Sequence, residues 1–251
     1  MNWFDHTLLF IISLIANLFS ALAGGGAGLI QFPVLIFLDL PFSVALATHK
    51  VATVALGVGA TLRYMRDNTL QRNFSLYILA CGIPGVLLGA SFILYVPEQL
   101  ARIALGILTM GLGLYSVFSP NLGQSTLARN RDRHGLMIGG IIIFLIGILN
   151  GSLASGTGSF LTLWLVRWFG LDYKSAVAYT LVLVGMFWNA SGALTLGLQG
   201  EIYWPWLPAL LLGSLLGGYA GSHLAIAKGN IVIKRSYEII TLLIGLKLII
   251  G

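Results

Sequence analysis

Charge-free apolar runs occupy residues 7–23, 74–97 and 135–154, and each approaches or exceeds the roughly 17 to 25 residues a helix needs to cross a bilayer. Runs of this length settle the class of fold before any motif is considered. Composition agrees: 57% of residues are hydrophobic and 9% charged, with a mean hydropathy of +0.92, whereas a soluble domain carries about 25% charged residues. A water-soluble fold of this size cannot hide so much apolar surface, so membrane helices are expected. The net charge of +6 does not indicate nucleic acid, because the basic residues stand singly or in short clusters between the apolar runs. The lone Cys81 offers neither a disulfide framework nor metal-ligand spacing, and no metal or cofactor is expected. Ala21-Leu22-Ala23 resembles a signal-peptidase site, but residues 1–6 lack Lys and Arg, so cleavage is not expected.

The chain also resembles itself. At an offset near 130, Gly26 falls on Gly156 and Gly28 on Gly158, each pair followed by a short apolar run. Further on, Thr48 falls on Thr180, Gly85 and Gly89 on Gly217 and Gly221, and Arg102 on Arg235. A match over both halves predicts a duplicated transporter architecture. Each half holds five apolar segments: 7–23, 28–38, 42–62, 74–97 and 99–118, then 135–154, 159–170, 173–197, 203–226 and 231–250.

If every segment changes side, with the N-terminus outside, then Arg63, Arg66, Arg72, Arg129, Arg131, Arg133, Lys174, Lys228, Lys234 and Arg235 all face the cytoplasm, as the positive-inside rule requires. Five is odd, so the second half starts on the opposite side from the first. The expected fold is all-α: a polytopic transmembrane helical bundle of two inverted five-segment repeats, each with a short broken half-helix. Its parts are an N-terminal transmembrane repeat at 1–119, a cytoplasmic basic linker at 120–134 and a C-terminal repeat at 135–251. The short second segments reach only about 15 to 20 Å and cannot span a core of roughly 30 Å.

Chemistry is expected where the apolar pattern breaks. Ala23-Gly24-Gly25-Gly26-Ala27-Gly28 and Ala154-Ser155-Gly156-Thr157-Gly158-Ser159 each precede a short segment. Glycines there expose backbone N–H groups at helix starts, and two such ends from inverted repeats can converge on an anion; Ser155, Thr157 and Ser159 add hydroxyls. Close helix packing is the other use of such glycines. A phosphate loop is excluded because no Gly-Lys-Ser/Thr follows.

Lys50 lies ten residues into the segment that begins at Leu40, about 15 Å deep, where a lysine faces a cavity or a partner. The apolar cores hold no acidic residue at that depth, which leaves an anion as counter-charge; pairing with backbone carbonyls is the alternative. Thr53 lies one turn beyond Lys50, with Thr48 and His49 beside it, and His49 is either a packed polar group or a proton-handling one. Val182 aligns with Lys50, so one fixed side-chain charge is expected, with Asn189 and Ser191 as the polar groups of the corresponding helix. His223, Trp204 and Trp206 are read as positional, and Asp39, Asp172 and Glu201 as turn residues.

These motifs resemble the sulfite exporter TauE/SafE family, also called the toluene sulfonate uptake permeases, over nearly the whole chain. The carriers are Ala23-Gly24-Gly25-Gly26-Ala27-Gly28 with Gln31-Phe32-Pro33, Ala47-Thr48-His49-Lys50, Arg63-Tyr64, the stretch from Gly151 to Gly156, and Asn189-Ala190-Ser191-Gly192. Gly217 and Gly221, and Ile244-Gly245-Leu246-Lys247, look like the family too. His49 departs from a branch that commonly has Asn before the lysine, and Ser155, Thr157 and Ser159 dilute the second glycine motif. The resemblance implies a secondary transporter of a bacterial inner membrane for a small sulfur-containing anion, such as sulfite or an organosulfonate, working by alternating access. The partners expected are that anion, the bilayer and a coupling ion, a proton or another. Two rivals come from other classes. A membrane-embedded enzyme needs a positioned nucleophile and base or a metal cluster, yet His6, His49, His134 and His223 are scattered. A membrane scaffold or partner subunit needs a large soluble surface, yet the longest polar loop is about residues 119–134.

Overall fold

The computed structural model describes residues 3–67, 70–92, 98–152, 157–200 and 202–250, and among these all regular structure is helical. The order is α1 (Trp3–Ala23), a 3-10 turn (Ala27–Leu29), α2 (Gln31–Phe37), α3 (Phe42–Tyr64), a second 3-10 turn (Met65–Asp67), α4 (Arg72–Phe92), α5 (Glu98–Val117), α6 (Arg133–Ser152), α7 (Thr157–Arg167), α8 (Tyr173–Tyr179), a π-helical stretch (Thr180–Trp188), α9 (Asn189–Gln199), a third 3-10 turn (Trp204–Trp206) and α10 (Leu207–Ile250). Among the described residues, six stretches are long and apolar enough to cross a membrane: Asp5–Ala23, Phe42–Tyr64, Arg72–Ser91, Arg133–Ser152, Tyr173–Leu198 and Trp204–Ile250. The last has 47 residues, about 70 Å of helix at roughly 1.5 Å per residue, enough for two crossings. It breaks where two are needed, at Gly229 (φ 78°, ψ −178°). Each of the ten apolar segments thus contains helix, and α2 and α7, of 7 and 11 residues, are the short ones.

The outside of the bundle is apolar. Phe37, Leu198 and Ile250 are 85%, 81% and 76% exposed, an arrangement stable only where the surrounding solvent is hydrocarbon. With lipid as apolar as the side chains, helices associate through close packing at small residues. Gly213, Gly217 and Gly221 of α10 follow one another along one face, and a Cβ on each would lie within 2.6 Å of the carbonyl oxygens of Phe10, Leu14 and Leu18 in turn. That order makes α1 and the first part of α10 parallel. Gly85 and Gly89 of α4 meet Phe144 and Ile148 of α6 in the same way, and Gly147 and Gly151 return the contact on Gly82 and Val86. Positions aligned in the sequence therefore make matching contacts: the fourth segment of each half packs in parallel on the first segment of the other. The fifth segments meet antiparallel, with Gly106 beside Gly245 and Gly113 beside Thr241.

The basic loops collect at one end of the bundle. Tyr173 N donates to Gly123 O and Leu127 N to Gly170 O, both at 2.8 Å. Asn230, next to the break in α10, accepts from Lys174 N (2.8 Å) and donates to Gln124 O (3.0 Å). Arg131 lies 3.8 Å over the Phe74 ring, and Arg63 Nε donates to His223 Nδ1 at 3.2 Å. Asp172 caps α8 by accepting from Ser175 N at 2.7 Å, in line with its reading as a turn residue; Glu201 lies outside the described residues.

One charge is placed differently from the expectation. Lys234, read as a loop charge, is buried in α10 and ion-paired with Glu238. Glu238, 3% exposed, also accepts from Arg235 Nη1 (3.0 Å) and Ser116 Oγ (3.1 Å), while Lys234 Nζ donates to Ser116 O at 2.7 Å. An acid four residues after a lysine on one helix face neutralises it locally, so the pair is accommodated in the interior.

Candidate functional site

The first glycine motif requires glycine. Gly24, Gly25 and Gly26 have φ of 74°, 141° and 110°, values that side-chain-bearing residues rarely adopt. They turn the chain out of α1, and Gly25 N donates back to Ser20 O at 2.9 Å. The turn lies directly against the start of α7: a Cβ on Gly25 would stand 2.7 Å from Ser159 N, and one on Gly158 would stand 3.2 Å from Gly24 O. Thr162 of α7 fixes the contact by donating to Gly24 O at 2.9 Å. Two interruptions about 130 residues apart in sequence thus meet in the interior.

Between them lies a cavity of about 50 Å³, several times the roughly 10 to 15 Å³ that one water needs. Its wall comes from α1 (Ser20), the turn (Gly25, Gly26, Ala27, Gly28), α3 (His49, Lys50, Thr53, Leu56), α6 (Asn150), α7 (Thr157, Gly158), the π-helical stretch (Thr180, Leu181, Val184, Gly185) and α9 (Asn189). The first amides of a helix have no partner within it, so the start of α7 and the first 3-10 turn bring backbone N–H groups to this space. Lys50, 2% exposed, reaches it from α3. Its Nζ donates to Asn150 O at 2.6 Å, and among the described residues no carboxylate pairs with it. One carbonyl uses one of three ammonium donors and leaves the charge uncancelled. Gly192 gives the lysine stem its room, since a Cβ there would stand 3.0 Å from Lys50 Cδ.

The sequence profile of the sulfite exporter TauE/SafE family matches residues 9–248. The chain belongs to this family. Relatives share it over nearly their full length. A protein of Haemophilus influenzae named probable membrane transporter protein is 29% identical over 242 residues, covering 96% of this chain and 93% of its own. YfcA of Escherichia coli K12, with the same descriptive name, is 29% identical over 242 residues, covering 96% and 88%. YunE of Bacillus subtilis is 24% identical over 271 residues, covering 98% and 97%. No solved structure matches. Membership in the TauE/SafE family, together with the apolar helices, makes the chain a multi-pass membrane transporter.

Not every residue singled out in the sequence reaches the cavity. Gly25, Gly26, Gly28, His49, Lys50, Thr53, Thr157, Gly158 and Asn189 do. Gly24 lies behind the wall, against Thr162 and Val177. Thr48 points elsewhere, accepting from Tyr203 N at 2.9 Å and so tying α3 to the entry of α10. Ser191 donates back to Phe187 O within its helix at 2.9 Å, as serines in helices commonly do. Ser159 is fully buried off the wall, and its carbonyl accepts from Tyr237 OH at 3.2 Å. Thr53 is on the wall, but its hydroxyl donates to Lys50 O (2.9 Å) and His49 O (3.1 Å). Ser155 and Gly156 lie outside the described residues.

Three polar wall residues went unselected: Ser20, Asn150 and Thr180. Asn150 Nδ2 donates to Thr157 Oγ1 at 3.0 Å, and its Oδ1 is buried with no protein partner. Thr180 pairs with Thr162 at 2.9 Å. The signal was present: Ser20 and Asn150 are separated by the same offset of 130 that aligns the glycines, each a polar residue near the end of an apolar run.

Proposed function

We propose that the chain is a secondary transporter of a bacterial inner membrane for a small sulfur oxyanion or organosulfonate, exposing the cavity to each side in turn. The observation that carries this is Lys50: a buried ammonium facing a cavity, with a carbonyl and, among the described residues, no carboxylate against it. A buried charge without a counter-charge is costly, and a mobile anion supplies one. The backbone donors at the start of α7 and in the Gly25–Gly28 turn suit oxygens spread over a tetrahedral or pyramidal anion. The cavity's small volume favours sulfite over a bulky aryl sulfonate. The family's printed description, sulfite exporter, supports the same class.

Alternating access in this reading follows from two inverted halves, 1–119 and 135–251 joined by the basic linker. Its support is the exchange of contacts between α1 and α10 and between α4 and α6, with the cavity where the halves meet. The test is a current assay on proteoliposomes adsorbed to a solid support, with sulfite, thiosulfate, sulfoacetate and taurine offered in turn. Saturable currents for one or more of the anions are expected. Silence for all four, with the protein folded and oriented, would refute the assignment.

A further inference from the structure

A second cavity, of about 290 Å³, shares no wall residue with the first and lies at the end of the bundle where the basic loops collect. Its volume is close to the lower end of the roughly 300 to 1,000 Å³ of small-molecule sites. Three parts of the chain enclose it: the last turn of α5 at Tyr115, the linker over residues 121–129, and the end of α7 with the loop that follows, residues 166–171.

The linker is strapped down on both sides of this space. Besides the bonds of Leu127 N to Gly170 O and Tyr173 N to Gly123 O, Arg129 N donates to Phe169 O at 3.1 Å, Asp172 N to Thr126 Oγ1 at 3.3 Å and Asn130 Nδ2 to Trp168 O at 2.8 Å. Two wall residues permit the straps: Gly123 and Gly170 have φ of 67° and 69°, and a Cβ on Gly170 would fall onto Leu127 O. A linker held at so many points is a fixed wall.

That wall is divided by polarity. Val166 and Leu171, 3% and 7% exposed, make an apolar floor, while Arg129 and Arg167 stand exposed at the rim with Asn121 and Ser125. Two guanidinium groups on one small wall repel each other, and the wall contains no Asp or Glu. The acids next to it in sequence are engaged elsewhere: Asp172 caps α8, and Asp132 Oδ2 accepts from Gly135 N at 3.4 Å. A guanidinium offers paired N–H donors that match the oxygens of a phosphate. The floor beneath suits carbon rather than a bare ion. Basic pockets between membrane helices meet anionic headgroups, and Tyr115, 40% exposed on α5, is an aromatic of the kind found at the interface.

We propose that this cavity binds an organic phosphate, with the phosphate on Arg129 and Arg167 and the carbon portion over Val166 and Leu171. An anionic phospholipid of the adjoining leaflet and a soluble phosphate ester share that chemistry. The site stands apart from the transport reading, since it uses neither Lys50 nor the glycine turn. The probes are dioctanoyl phosphatidylglycerol, phenyl phosphate and, as a headgroup without net charge, dioctanoyl phosphatidylcholine. Arg129→Gln/Arg167→Gln removes the charge of the rim. Arg66→Gln/Lys228→Gln removes two exposed charges of the basic loops that are not on this wall.

Each probe is titrated into the purified protein in a neutral detergent, with affinity read from the rise in unfolding temperature and bound copies counted by native mass spectrometry. Wild type is expected to bind one copy of phosphatidylglycerol, of phenyl phosphate or of either, about tenfold or more tighter than phosphatidylcholine. The rim variant is expected to lose about tenfold or more of that affinity while its unfolding temperature without ligand stays that of wild type, and the other double variant to lose none. Binding of phosphatidylglycerol alone assigns the site to the leaflet, and binding of phenyl phosphate alone to a soluble ester. Equal losses in the two double variants would show attraction to surface charge in general and overturn the proposal. So would phosphatidylcholine bound as tightly as phosphatidylglycerol with no binding of phenyl phosphate, or the absence of a single saturable site for both anionic probes.

Discussion

Two buried lysines meet the same problem in opposite ways. Lys234 has Glu238 within its own helix turn, and that carboxylate also receives Arg235 and Ser116. Lys50 has a carbonyl. The first arrangement is closed and structural; the second, in the transport proposed above, is where an outside anion binds. Removing one member of the closed pair strands a charge, at a cost of about 3 to 5 kcal/mol, whereas replacing both with apolar groups is close to neutral. Thermal unfolding in detergent should therefore show Glu238→Leu strongly destabilised and Lys234→Met/Glu238→Leu restored most of the way to wild type. A double variant as unstable as the single would show that the pair is not self-contained. At Gly25, alanine combines a φ of 141° with a Cβ 2.7 Å from a backbone nitrogen. Gly25→Ala is predicted to lower the unfolding temperature and abolish transport together, since strain of about 1 to 3 kcal/mol falls on the wall itself; a stable, active variant would contradict the geometry.

At the scale of elements, the stretch Thr180–Trp188 is the feature that places the second half's wall. It is π-helical within an otherwise α-helical span, and such stretches recur at functional sites. It crosses α3 at two glycines: a Cβ on Gly57 would fall onto the backbone of Gly185 and Met186, and one on Gly185 would stand 3.0 Å from Gly57 Cα. Gly57→Ala is predicted to separate α3 from this stretch, with overpacking of about 1 to 3 kcal/mol and a loss of flux exceeding the loss of folded protein; unchanged flux would show that the crossing does not set the wall. The ten apolar segments were legible because each depends on local hydropathy and length. The π-helical stretch was not, since nothing in Thr180–Trp188 breaks the apolar pattern and the altered bonding arises from packing against α3. For the same reason Thr48 looked equivalent to Thr180 but faces Tyr203: a motif gives spacing along a helix, and only packing gives the side it turns inward. Glu238 was overlooked because it follows Lys234 and Arg235, which read as cytoplasmic charges, and its burial depends on α5.

For the whole molecule, the basic loops that the sequence assigns to one side are joined in the structure by Asn230, Gly123, Gly170 and Arg131. With Cys81 the single cysteine, a Cys81→Ser background permits single reporters. Cysteines placed at Arg66, Arg129 and Lys228 should all react with a membrane-impermeant maleimide only once the cytoplasmic face is opened; labelling of any one in intact cells would contradict the proposal of two inverted halves. The exchanged packing of α1 on α10 and α4 on α6 was legible only in part. The glycine pairs were visible as a repeat, but not that each seats the opposite half.

The central claim is that Lys50 holds a transported anion, and uptake of ³⁵S-sulfite into proteoliposomes by wild type and Lys50→Met tests it most directly. Methionine keeps the length and apolar stem of the lysine beside Gly192 and removes the charge. The expected result is saturable uptake by wild type and a loss of about 100-fold or more in Lys50→Met, corresponding to roughly 3 kcal/mol for one buried charge-assisted contact, with the variant as monodisperse and thermally stable as the parent. Sulfite uptake by Lys50→Met at the wild-type rate would contradict the account.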